Sequence, residues 1–230
     1  MSLINKLDSI LSSKSDLDKV KYTPNRVDYD ENLSILDIDW KNILKDPPKN
    51  SSAQTAKEIN AVAESTKSRT RKELDLIYTV DEEPLDLFYK FLSKKTGYSF
   101  PVALFYDYFN ILEQYIYALK YHFNRARPEQ IAPYYNLDIE VFYTDTHETP
   151  SYPSGHTMYS ELAAHILSDI YPEYRNDFFK LSEYCALARI LQGVHFPSDN
   201  VASVVATRTL YPKIKEYYDN KRTKENPINR

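Results

Sequence analysis

Only 3 glycines occur in this chain of 230 residues, and one of them lies in the stretch Ser151–Thr157, just before the apolar run Met158–Ile170. Ser154 is a favourable N-cap residue for a helix that begins here. The first turn of a helix presents unpaired N–H groups to an anion, and Gly155 lets a ligand approach closely. His156 can give or take a proton near neutral pH. The stretch therefore predicts a capped helix, either with an ordinary surface histidine or with a site for an anion.

The composition is that of a globular protein large enough for one domain with an additional arm. Hydrophobic residues make up 42% and charged residues 27% of the chain, which is ordinary for a folded domain. The net charge of −4 argues against nucleic acid as a partner. The single Cys185 excludes an internal disulfide, and its apolar helical surroundings predict a buried side chain.

The chain start lacks the long apolar segment of a secretory signal. No run of about 18 apolar residues predicts a membrane span. We therefore expect a soluble intracellular, cytoplasmic protein without a membrane span.

Apolar residues recur at helical spacing, and no alternating strand pattern appears. Helices are predicted from Ser51 or Ser52 to about Tyr78, Leu85 to Leu92, Val102 to Arg125, Ser154 to about Ile170, Asp177 to Leu191 and Pro197 to about Tyr218. The sequence thus predicts an all-α, single-domain helical bundle over residues 36–218. Residues 1–35 are predicted to form an N-terminal arm, with a short helix through Leu3, Leu7, Ile10 and Leu11, and residues 219–230 a charged tail.

A second motif closes the predicted helix that begins at Val102. Lys120 is followed, after six residues, by Arg127 and Pro128. Seven positions are close to two helical turns, so Lys120 and Arg127 are predicted to share a helix face. Together they could clamp an oxyanion, or they could simply favour the helix C-terminus. Arg125 is predicted to face solvent or to serve in packing.

A third motif is Arg189, five residues, His195, three residues and Asp199. Gly193 ends a helix, and Pro197 can begin the next one. Asp199 in that first turn can reach back to one ring nitrogen of His195, which leaves the other nitrogen as a nucleophile or base. The alternative is a His–Asp cap at a helix start.

In this order and spacing, the three motifs resemble the superfamily of type-2 phosphatidic acid phosphatases, bacterial class A non-specific acid phosphatases and vanadium haloperoxidases. The resemblance covers about Asp46 to Tyr211 and is closest to the class A phosphatases. Pro150 stands where that class has Gly before the Ser-Tyr-Pro-Ser-Gly-His run, and Ala188 where the family has Ser. Class A enzymes are also secreted, which leaves the physiological substrate and location open.

The resemblance implies a phosphatase that needs no metal and forms a phosphohistidine. His195 is then the nucleophile, Asp199 orients its ring, and His156 is the general acid. Lys120, Arg127 and Arg189 bind the phosphate together with the N–H groups of Ser154 and Gly155 and the Ser154 hydroxyl. No cofactor is implied, although phosphate or vanadate can occupy the site. His122, His147 and His165 are not spaced as metal ligands.

Several alternatives remain at this stage. One is a vanadium-dependent haloperoxidase, although those enzymes are generally larger. Others are a diphosphate or lipid phosphate phosphatase and a protein that kept the pocket without catalysis. The expected partner is a small phosphate ester, with nucleotides, sugar phosphates, small organic phosphates and diphosphates all open as substrates. The resemblance also suggests a homodimer.

Overall fold

The computed structural model describes residues 13–23, 29–30, 32–143 and 148–225, with side chains as far as residue 221. The predicted all-α fold is confirmed: over these ranges the only β pairing is an isolated bridge between Lys21 and Arg125. The main helices are α1 (Ala53–Lys67), α2 (Arg71–Glu82), α3 (Asp86–Lys95), α4 (Val102–Phe123), α5 (Gly155–Ile170), α6 (Arg175–Leu191) and α7 (Pro197–Glu225). One helical turn (Pro128–Ile131) and 3-10 turns (Trp40–Asn42, Ala132–Tyr135, Pro172–Tyr174) lie between them.

Helix α5 is the central element of the bundle. It packs against α4, α6 and α7, and Leu162, Ala163 and Leu167 are fully buried in these contacts. A helix that is apolar on most of its faces is stable only when neighbours cover it. The N-terminus of α5, which carries the Ser151–Thr157 stretch, is thereby fixed among three other helices.

The prediction of one helix from Ser52 to about Tyr78 is wrong, because α1 ends at Lys67 and α2 begins at Arg71. Thr70 starts the second helix with a capping box. Its hydroxyl accepts a hydrogen bond from Glu73 N at 3.3 Å, and the Glu73 carboxylate accepts one from Thr70 N at 2.7 Å. Capping groups of this kind begin a new helix without Gly or Pro.

Two helix ends turn the chain back towards α5. Helix α4 ends at Phe123, followed by Asn124 in the left-handed region with φ 48°. Helix α6 is followed by Gly193 with φ 87°, where an added Cβ would lie 2.9 Å from Ile139 Cγ2. Both the backbone angle and the space therefore require glycine at this position.

The structure at the two ends of the chain agrees only in part with the predicted arm and tail. Helix α7 continues to Glu225, beyond the predicted end near Tyr218. Residues 13–19 are helical and belong to the packed structure, since Leu17 is buried and its carbonyl accepts a hydrogen bond from Asn50 Nδ2 at 3.0 Å. The helix predicted through Leu3 and Leu11 lies outside the described residues, and the proposed domain boundaries stay predictions.

Candidate active site

Lys120 lies in the last turn of α4, with its side chain directed at the loop before α5. Its Nζ donates a hydrogen bond to Pro150 O at 2.5 Å, and the residue is buried. Burial, followed by the charge of Arg127, holds the pKa of Lys120 well below its ordinary value. The prediction that Lys120 and Arg127 share a helix face is wrong, because α4 ends at Phe123. The turn after Phe123, rather than helical spacing, brings the two cations together.

Arg127 is buried and held by the two loops on either side of it. Its Nε donates to Thr149 O at 2.9 Å, and its Nη1 donates to Val194 O at 2.7 Å. The same Nη1 lies 3.2 Å from His195 Nε2. Burial lowers the pKa of Arg127 to about 10, so the guanidinium remains charged at neutral pH.

His195 and Asp199 form the predicted contact across the start of α7. His195 Nδ1 lies 3.1 Å from Asp199 Oδ2, which also accepts a hydrogen bond from Phe196 N at 2.8 Å. With a carboxylate at Nδ1 and an Arg127 donor at Nε2, the hydrogen-bond partners assign the ring proton to Nδ1. The lone pair of Nε2 is thus on the side of Arg127. Burial, followed by the charge of Arg127, holds the pKa of His195 well below its ordinary value.

Two partners of Asp199 were not predicted from the sequence. Arg125, expected to face solvent or pack, is buried, and its Nη1 donates to Asp199 Oδ1 at 2.6 Å. Its guanidinium lies 4.1 Å from the centre of the Phe196 ring. The Ser151 hydroxyl donates to Asp199 Oδ2 at 2.5 Å. Asp199 is therefore held by four donors, and only the His195 contact follows from sequence spacing.

The N-terminus of α5 has the predicted cap. Ser154 Oγ accepts hydrogen bonds from Thr157 N at 3.4 Å and Thr157 Oγ1 at 3.0 Å, so this hydroxyl serves the helix. The backbone N–H groups of Gly155 and His156 are in the first turn, where no intrahelical acceptor exists. A Cβ added to Gly155 would lie 3.7 Å from Lys120 Cε, which shows how closely this turn approaches the lysine.

Arg189 brings a third cation from the last turn of α6. It is buried, and its Nη1 donates to Asp81 Oδ1 at 2.8 Å, near the end of α2. Burial lowers the pKa of Arg189, and Asp81 opposes that shift. Asp81 could not be predicted from the sequence, because the pair depends on the tertiary contact between α2 and α6.

A cavity of about 410 Å³ opens beside Lys120 at the start of α5. Lys120, Gly155 and His156 form part of its lining, together with Asp81 and Thr149. Burial, followed by the charge of Arg189, holds the pKa of His156 well below its ordinary value. His195, Lys120 and Arg127 are also close enough to His156 to add to this shift.

The structure thus brings the predicted site residues into one region. They are Lys120, Arg127, Ser154, Gly155, His156, Arg189, His195 and Asp199. Lys120, His156 and the start of α5 line the cavity, and Arg127, Arg189 and His195 are near enough to His156 to lower its pKa. Such a space suits a tetrahedral oxyanion, because arginine, lysine and helix N–H groups are all donors to anionic oxygens.

The sequence model of the PAP2 superfamily matches residues 96–220, which is more than half of the chain and includes all eight predicted site residues. The chain belongs to the PAP2 superfamily. The predicted resemblance to this superfamily is therefore confirmed, while the closer likeness to class A acid phosphatases stays a prediction.

A solved structure has a similar fold. A bacterial vanadium-dependent iodoperoxidase resembles the chain with a TM-score of 0.56 and 17% identity, over 78% of this chain and 54% of that protein. The chain thus spans about half the length of the iodoperoxidase, and at this identity the likeness concerns the fold. A comparison with curated protein sequences found no match.

Two further histidines of this PAP2 protein, His122 and His165, lie apart from the site. The ring of His122 makes an edge contact with Trp40, at 5.7 Å between ring centres, and the ring of His165 stacks on Tyr211 at 4.8 Å. His147 lies outside the described residues. In the ranges that the structure describes, no three His, Cys, Asp or Glu side chains are grouped to hold a metal ion. Cys185 is buried as predicted, and burial raises its pKa to about 12.

Across the described part of the chain, no helix combines the length and the apolar character that a membrane crossing needs.

Proposed function

We propose that this PAP2 protein is a metal-independent phosphomonoester hydrolase that acts through a phosphohistidine at His195. The observation that carries the proposal is the position of the His195 ring. Nδ1 is hydrogen-bonded to the buried Asp199, and Nε2 lies 3.2 Å from Nη1 of Arg127. With Nδ1 bonded to a carboxylate, Nε2 can act as the nucleophile once the Arg127 donor turns to the oxygens of a bound phosphate.

The first step breaks the ester bond. Nε2 of His195 attacks phosphorus in line, the bond to the alcohol oxygen breaks, and His156 gives its proton to that oxygen. Lys120, Arg127 and the first-turn N–H groups of α5 stabilise the charge on the equatorial oxygens. Burial lowers the pKa of His156, and so do the surrounding cations. A bound phosphate dianion offsets them and favours the protonated form that the step needs.

The second step releases phosphate. His156, now neutral, takes a proton from water, whose oxygen attacks phosphorus while the N–P bond to His195 breaks. Asp199 stabilises the positive charge on the His195 ring between the two steps.

A phosphatase assay in the presence of a chelator tests the proposal. We expect hydrolysis of nitrophenyl phosphate to be unaffected by the chelator, because three side-chain cations supply the charge. Vanadate and inorganic phosphate should compete with the substrate, since the pocket suits tetrahedral and trigonal-bipyramidal oxyanions. Loss of activity in chelator that zinc or magnesium restores would contradict the mechanism.

The likeness in fold to the iodoperoxidase supports a second candidate function. Vanadate bound at His195 Nε2 in this pocket could support halide oxidation by peroxide. The two functions are distinguished by measuring iodide oxidation with vanadate and peroxide beside ester hydrolysis. Iodide oxidation without ester hydrolysis would favour the peroxidase.

Arg125 is assigned as a positioning residue, because it reaches the site only through Asp199. Replacement of Arg125 with Met is expected to lower kcat by roughly 10- to 100-fold, as loss of supporting contacts to a functional side chain typically does. Arg125→Lys should recover part of kcat while KM changes little. Removing one partner of a buried ion pair also destabilises a protein, so thermal unfolding is measured in parallel.

The control for Arg125 is Arg208→Met, which removes an exposed arginine that pairs with Glu161 at 3.3 Å. It should keep wild-type kcat. Unchanged kcat in a folded Arg125→Met protein would show that Asp199 does not need this partner.

A further inference from the structure

The cavity in front of His156 is lined by one face of α4 and the first turns of α5. Phe109, Glu113 and Tyr117 on α4 are spaced by four residues and so lie along one face. Lys120 follows one turn later, at the phosphate end. Tyr159 lines the cavity from α5. A leaving group that extends from the phosphate therefore passes along these side chains.

The carboxylates in the wall of this cavity outnumber the basic side chains that form ion pairs with them. Asp81 is paired with Arg189. Glu82, Glu83 and Glu113 also line the cavity, and none of the three has an ion pair with another described residue. Helix α2 has no basic residue in its last turn, where Asp81 and Glu82 lie. Carboxylates at a helix C-terminus oppose the helix dipole, so this placement is not explained by helix stability.

Aromatic rings accompany these carboxylates. Phe109 and Tyr159 meet edge to face at 4.6 Å between ring centres, and Tyr117 follows Glu113 by one turn on α4. All three rings line the cavity and are half-buried. Aromatic faces together with carboxylates attract organic cations, through the ring quadrupole and through direct charge.

We propose that the cavity selects phosphate monoesters whose alcohol carries a positive charge, such as a primary or quaternary ammonium group. The inference rests on the proposed phosphatase function and adds to it the class of leaving group. The phosphate lies among Lys120, Arg127 and Arg189, and the cationic end of the alcohol lies among the rings and Glu82, Glu83 and Glu113. An alcohol that carries a carboxylate is repelled by the same wall.

Three esters of similar size test this assignment. Phosphoethanolamine, 2-hydroxyethyl phosphate and phosphoglycolate carry a positive, a neutral and a negative group at the same distance from phosphorus. We expect kcat/KM to fall in that order, by about tenfold at each step, which corresponds to a partly screened interaction with several carboxylates. About 1 M salt should compress the differences.

Variants that replace these carboxylates with neutral amides show which of them cause the preference for a positively charged alcohol. Glu113→Gln and the double variant Glu82→Gln with Glu83→Gln should each reduce the preference for phosphoethanolamine over phosphoglycolate. All three esters carry the same phosphate, so a change common to the three rates reports the phosphate end, and the ratio between phosphoethanolamine and phosphoglycolate reports the charge of the alcohol. The control Glu64→Gln changes net charge by the same amount as Glu113→Gln, on an exposed part of α1 outside the cavity, and should leave all three rates unchanged.

Equal rates for the three esters, a reversed order, or a preference that the cavity variants leave intact would overturn the assignment. Calorimetry measures binding of the same esters to the His195→Ala protein. This measurement tests the charge preference of the cavity independently of the proposed reaction. Graded binding without hydrolysis by the wild type would support the charge preference and refute the phosphatase mechanism. Equal binding of all three esters would refute the charge preference whatever the wild type hydrolyses.

Discussion

Replacement of His195 with Ala is expected to abolish turnover of every phosphate ester. The change removes Nε2, the atom proposed to bond to phosphorus, so no phosphoenzyme can form. Because the loss concerns the nucleophile, it should not depend on the leaving group. The measurement is the steady-state rate with an alkyl phosphate and with nitrophenyl phosphate, which should both fall to the level of a protein-free control.

The control for this variant is His122→Ala. His122 is exposed, and its ring contacts Trp40 rather than the site, so activity should remain near that of the wild type. Residual hydrolysis by a folded His195→Ala protein that forms labelled phosphoenzyme would contradict the assignment of the nucleophile.

Replacement of His156 with Ala is expected to slow hydrolysis in a way that depends on the leaving group. An alkyl phosphate should lose roughly 100- to 10,000-fold in formation of the intermediate, the usual contribution of general acid catalysis. Nitrophenyl phosphate should lose much less, because its leaving group is stable as an anion. A comparison of single-turnover rates for the two esters gives both values.

An equal loss of rate with both esters would contradict the role of His156 as proton donor. Such a loss would show that the ring binds the phosphate, or supports the helix start, without giving a proton to the leaving oxygen. The matched control is His165→Ala, whose ring stacks on Tyr211 away from the cavity and should leave the leaving-group dependence unchanged.

The parts of the site that local chemistry determines could be predicted from the sequence. Ser154 caps α5, Gly193 takes a positive φ after α6, and Pro197 begins α7. Each of these features depends on the residue itself and its near neighbours. The contact between His195 and Asp199 follows from them, because it spans only one helical turn.

Contacts between distant elements could not be predicted in this way. Arg125 and Lys120 were assigned by helical spacing, but α4 ends at Phe123 and the left-handed Asn124 redirects the chain after it. Arg125 therefore meets Asp199, 74 positions away. The Asp81–Arg189 pair joins α2 to α6 in the same manner. Such pairs depend on how helices pack, and one sequence carries no local signal for packing.

Rapid-quench labelling tests most directly whether a phosphoryl group is transferred to His195. In the His156→Ala protein, attack on nitrophenyl phosphate still proceeds, while water lacks its general base. The phosphoenzyme should therefore accumulate within one turnover. Peptide mapping should place the label on His195, and the double variant with His195→Ala should carry none. Label on another residue, or product release with no labelled protein at any time, would contradict the account.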